Sequence, residues 1–120
     1  MSNFYDLLQN IKKRPAMYLG ECSITRLHIF LSGYRFARNE LGIPQTDQER
    51  HFSGFQPWVA EKFAVKTSQS WGNIILSQAS DEGQAWDKFF DLLDEFLRIH
   101  NVSVWQTEPR RAPITDLLAA

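Results

Sequence analysis

The stretch that decides the fold is Asp81–Ile99, "DEGQAWDKFFDLLDEFLRI". Trp86, Phe89, Phe90, Leu93, Phe96 and Leu97 recur at intervals of three and four residues, the spacing that puts side chains on one face of an α-helix. Ser80 is placed to cap this helix, with Asp81 and Glu82 in its first turn, where negative charge complements the helix dipole. Asn101 can close it. A face this wide and aromatic needs other elements to cover it, so the rest of the chain is read for helices that can do so.

Upstream, "SITRLHIFLSGYRFARNEL" starts at Ser23, a natural N-cap, and carries an apolar stripe of Ile24, Leu27, Phe30, Leu31, Tyr34, Ala37 and Leu41. Gly33 in its middle costs about 1 kcal/mol relative to alanine, which points to close approach by a neighbouring helix or ring. Gly42 and Pro44 end the helix, and the polar residues 43–53 read as a loop. A first helix is expected over residues 3–13, capped by Ser2 or Asn3 and stopped by Pro15. A short helix is expected around Pro57, with Phe55, Trp58, Val59 and Phe63 on its apolar face. Residues 71–78 fit a helix or a buried strand, the helix being favoured, and Val102–Trp105 can form a short strand. The fold class is therefore mainly α: a single domain over 1–120, with about five helices and room for one short strand pair.

Composition limits the function classes. The chain has 120 residues, 43% of them hydrophobic and 13% aromatic, which suffices for a core without disulfides. The lone Cys22 can form no internal disulfide. No stretch is apolar enough to span a membrane, and "MSNFYDLLQN" does not read as a signal peptide, so a cytoplasmic protein without membrane contact is expected. Net charge is −1, against a nucleic-acid partner. Residues 1–66 hold nine Lys/Arg and six Asp/Glu, and residues 67–120 hold four and eight. The acidic half suits a basic protein partner.

The chemistry-bearing residues are scattered. His28, His51 and His100 have no second ligand at metal spacing, and Cys22 with His28 falls short of a zinc site. No catalytic residue, metal ligand or cofactor is assigned, and no enzyme activity is expected. Asp87, Asp91, Asp94 and Glu95 line the outer side of the long helix as a candidate surface for a basic partner, and Trp105, near Arg110 and Arg111, is a candidate hot spot. The alternative is a small enzyme or ligand-binding domain with a pocket near Tyr18, Cys22, His28 and Tyr34. A further alternative is a regulatory subunit of another protein.

Two resemblances bear on these choices. Arg14, Pro15, Met17, Tyr18, Gly20, Leu27 and His28 resemble a loop and helix start in the ATPase domain of the DNA gyrase B subunit. The alignment puts Gly33 where that family has its catalytic glutamate and Ala37 where it has its magnesium-binding asparagine. Neither can do that chemistry, so "KKRPAMYLGECS" is expected to be a structural connector in which Met17, Tyr18 and Leu19 form an apolar plug and Gly20 reverses the backbone. The longer pattern "RPAMYLG…SITRLHIFLSGYRFA", "FQPWVAEKF", "SWGNIIL" and "SDEGQAWDKFFDLLDEF" looks like that of small bacterial immunity proteins from toxin–immunity loci, including contact-dependent inhibition systems. That resemblance implies a helical protein that neutralises a cognate toxin, such as a nuclease, by covering its active or substrate-binding surface.

Overall fold

The computed structural model describes residues 3–100. Seven α-helices follow one another: α1 Phe4–Lys13, α2 Pro15–Leu19, α3 Ile24–Glu40, α4 Asp47–Phe52, α5 Phe55–Lys62, α6 Trp71–Ser77 and α7 Glu82–Ile99. The mainly α class stands, and there is no strand among the described residues. Residues 71–78 resolve to helix. Val102–Trp105 and the Asn101 stop lie outside the described residues.

The long C-terminal helix buries the stripe read from its sequence. Ala85, Trp86, Phe89, Phe90, Leu92, Leu93, Phe96 and Leu97 are all buried. Its cap is one residue later than expected. Asp81, not Ser80, takes the extended N-cap conformation, and its carboxylate accepts from the Gln84 N–H at 2.8 Å. The Ser80 N–H instead donates to the Gln84 side chain at 2.7 Å.

Phe55 is the hub of the core. Fully buried on α5, it stacks on Phe52 with centroids 5.2 Å apart and meets Trp71, Phe89 and Phe96 edge-on. Such edge-to-face contacts add about 0.5–1.5 kcal/mol each beyond the area they bury. Phe55 thereby joins α4, α5, α6 and α7 in one cluster. α1 adds Phe4, Tyr5, Leu8 and Ile11 to the same core, and α3 adds Ile24, Leu27 and Leu31.

Two short helices were not expected. In the connector, Pro15 opens α2 at its first position, where a missing N–H costs nothing, and Gly20 closes it with φ +85°. Leu19 is buried and Tyr18 packs edge-on against Phe30, but Met17 is 67% exposed, so the plug consists of two residues rather than three. In the expected loop, residues 47–52 form α4. Its start is a reciprocal capping box: the Thr46 hydroxyl accepts from the Glu49 N–H, and the Glu49 carboxylate accepts from the Thr46 N–H at 2.7 Å.

α3 departs furthest from expectation. Only its first half joins the core. Ala37 and Leu41 are exposed, Leu41 at 75%, although the stripe predicted both inside. A helix of 17 residues runs about 26 Å, and the core does not extend that far along it.

Candidate functional site

α3 carries three stripes with different surroundings. Ile24, Leu27 and Leu31 face the core. His28, Ser32 and Arg35, at i, i+4 and i+7, line a cleft. Ile29, Gly33 and Phe36, at the same spacing, lie on the next face around, where Phe36 also borders the outer cleft. Ile29 is 65% exposed and Phe36 66% exposed, and a side chain added at Gly33 would meet nothing within 4 Å. The close approach expected at Gly33 occurs instead at Gly72 on α6, where an added Cβ would lie 3.2 Å from the His28 Cβ.

The cleft is built by α1, α3, α4 and α6. Its inner part is a cavity of about 80 Å³ among Phe4, Leu31, Tyr34, Phe52 and Trp71, with His28, Ser32, Arg35, Glu49 and Ser53 also on its wall. It shares Ser32, Arg35 and Glu49 with an outer cleft of about 470 Å³ that runs past Arg38, Asn39 and Gln45. A two-point fork holds the outer half of α3 over α4: Arg38 Nε donates to Glu49 Oε2 at 2.7 Å and Nη2 to Oε1 at 3.0 Å. The guanidinium also lies over the Tyr34 ring, 5.4 Å from its centroid. Burial works to raise the Glu49 pKa, but the Thr46 N–H and the Arg38 fork outweigh it, and the carboxyl is held below its ordinary value. Hydrogen bonding to Glu49 raises the Arg38 pKa in turn.

The His28 ring meets Trp71 edge-on at 4.9 Å. Burial, and then the charge of Arg35, lowers its pKa, so the imidazole is neutral at pH 7. Arg35 itself makes no ion pair or hydrogen bond among the described residues. The pocket expected near Tyr18, Cys22, His28 and Tyr34 therefore exists in part. His28 and Tyr34 line it, whereas Tyr18 packs on Phe30 outside it and Cys22 is an exposed thiol elsewhere. Arg35, Phe52 and Trp71 complete the wall. Nothing in the local sequence marks them, because three separate helices bring them together.

A second polar cluster lies under α1. Tyr5 Oη and His51 Nδ1 are 2.6 Å apart, and the His51 ring lies 5.1 Å from that of His100. His51 Nε2 is buried and has no hydrogen-bond partner among the described residues. Burial, and secondarily the charge of His100, lowers the His51 pKa, while burial pushes the Tyr5 phenol well above its ordinary value. Among the described residues no group of three or more His, Cys, Asp or Glu is placed to hold a metal ion.

The acidic stripe is divided. Asp87 and Asp91 are exposed, one turn apart on α7. Asp94 and Glu95 are half-buried, and the Glu95 carboxylate accepts a hydrogen bond from Lys62 Nζ at 2.7 Å. Only the first two offer open charge to a partner. Trp105 lies outside the described residues. Comparison of the chain with protein-family models, curated proteins and solved structures returned no significant match. Among the described residues no helix is long and apolar enough to cross a membrane.

Proposed function

We propose that this chain is a non-catalytic protein that works by binding another protein, and that its binding surface is the outer face of α3. The observation that carries this is the ridge of Ile29 and Phe36, each about two-thirds exposed, on either side of a glycine in open space. A mid-helix glycine costs about 1 kcal/mol relative to alanine. Gly33 makes no contact within the described chain that offsets this, so its use lies in letting a partner's backbone come close. Large apolar side chains beside such a gap are the usual anchors of an interface. Within the acidic stripe of α7, Asp87 and Asp91 are the positions open to a basic partner.

The particular form of this proposal is a cytoplasmic immunity protein, with a bacterial toxin as partner and occlusion of the toxin's working surface as mechanism. The sequence pattern supports that form, and so does the acidic C-terminal half. The test is affinity capture with the wild-type chain and with Ile29→Asp, followed by expression of any captured protein alone and together with each form. A partner held by the wild type but lost by Ile29→Asp, toxic alone and rescued only by the wild type, is the expected result. A harmless partner would refute the immunity form and favour a regulatory subunit. Capture unaffected by Ile29→Asp, or no capture at all, would refute the α3 surface.

A further inference from the structure

We propose that the cleft between α3 and α4 binds a small aromatic carboxylate, its ring seated among Phe4, Phe52 and Trp71 and its carboxylate on Arg35. The site does not depend on the protein-binding surface, because Arg35 and Ile29 lie on different faces of α3.

The shape fits one ring and a short arm. The inner cavity of about 80 Å³ exceeds the roughly 10–15 Å³ needed for one water and is walled chiefly by apolar and aromatic side chains. Ring faces and edges of this kind favour an aromatic guest. The cavity and the larger cleft share Ser32, Arg35 and Glu49 on their walls. A substituent directed from the ring toward the larger cleft passes these residues.

The charge fits an anion. Besides Arg38 and the Tyr34 phenol, the ionisable groups on the walls of the cavity and cleft are His28, Arg35 and Glu49. Glu49 and Arg38 cancel each other in their fork. His28 is neutral at pH 7. Among the described residues Arg35 is left as a cation without an ion-pair partner, and a guanidinium is suited to two-point capture of a carboxylate. The Ser32 hydroxyl on the same wall can donate to it, whereas the Ser53 hydroxyl is already given to the Arg50 carbonyl. An apolar cavity with a few convergent polar groups at its mouth is the ordinary form of a small-molecule site.

The test uses phenylacetate as probe and phenylacetamide as its neutral counterpart, with the full-length chain labelled for NMR. The expected result is a saturable shift of the Trp71 indole N–H and the Ser53 amide with phenylacetate. Arg35→Gln should weaken this by about tenfold or more, the size of one charge-assisted hydrogen bond. Phenylacetamide should be weakened similarly against the wild type and be indifferent to Arg35→Gln. Because Arg35 is exposed, the variant should fold as the wild type does. Ser53→Trp, which places a large side chain on the wall of the inner cavity from an exposed position, should abolish both responses. An acetylated dipeptide ending in phenylalanine is the third probe. If it binds more tightly than phenylacetate, the carboxylate comes from a protein chain end; if more weakly, from a free acid. No saturable shift, or equal binding of acid and amide, would overturn the proposal.

Discussion

Gly33→Ala should stabilise the fold and Gly72→Ala should not. Both glycines are helical, and on propensity alone each replacement gains about 1 kcal/mol. At Gly33 nothing lies within 4 Å of the added methyl, so the gain is kept. For a chain of this size that raises Tm by roughly 3–6 °C. At Gly72 the methyl would sit 3.2 Å from His28 Cβ and 3.4 Å from His28 Cγ. A Cβ is fixed by its backbone and cannot rotate aside, so α6 and α3 must move apart where His28 and Trp71 pack. Overpacking costs typically about 1–3 kcal/mol. The net effect at Gly72 is then between neutral and about 2 kcal/mol destabilising. Thermal and urea unfolding followed by circular dichroism measure both. A stabilised Gly72→Ala would refute the placement of α6 against α3, and a Gly33→Ala that melts no higher than the wild type would refute the open surroundings of Gly33. Partner binding supplies a second readout. If Gly33 serves a docking surface, Gly33→Ala should stabilise the fold and weaken the complex, the common trade between stability and function.

Three further predictions concern charge. The folded state resists protonation of His28 and His51, whose pKa values lie below the ordinary 6.5. The unfolded chain then binds more protons below that value, and Tm should fall as pH drops from 7.5 to 5.5; His51→Gln, which can still accept from Tyr5, should flatten that fall. Burial works to raise the pKa of Glu82, but hydrogen bonds from Thr25 and Ser23 outweigh it and hold the group below its ordinary 4.5. Its contribution should be whole above that value and fade as pH falls through the folded pKa, so an acid titration of stability should be shallower in Glu82→Gln than in the wild type. Arg38→Lys keeps the charge but loses the fork, and should lower Tm and broaden NMR signals in α4 more than in α7.

What the sequence showed, and what it hid, follows from what holds each element. α7 was legible because its own stripe is what the core buries. α4 was not, since "DQERHF" has no apolar period. It rests on the Thr46–Glu49 box and on Arg38, and the box was visible as a Thr three residues before a Glu. The periodicity of α3 said correctly which residues share a face. It could not say how far along the helix the core reaches, which depends on where the other helices end. The same limit applies to the glycines: sequence marks Gly33 as the place of close approach, and only packing reveals that a neighbour touches Gly72 instead. In the cleft, His28 and Tyr34 were found because they sit on a recognisable helix. Arg35 was overlooked because an arginine on a helix reads as a solvated face until Phe52 and Trp71 are brought beside it.

The two functional proposals can be separated because α3 keeps its stripes distinct. Ile29 lies on the outer ridge and lines neither cavity, whereas Arg35 lines both. Ile29→Asp should therefore abolish partner capture and leave the phenylacetate response unchanged, and Arg35→Gln should do the reverse. Phe36 is less discriminating, because it also borders the outer cleft. If each variant affects only its own assay, the helix carries two independent sites. If Arg35→Gln also weakens capture, the aromatic carboxylate belongs to the partner itself, and ridge and cleft are parts of one interface. That outcome would make α4 and its fork to Arg38 part of the binding apparatus, since they position the outer half of α3. Arg38→Lys should then weaken capture as well, although Arg38 lies on neither the ridge nor the inner cavity.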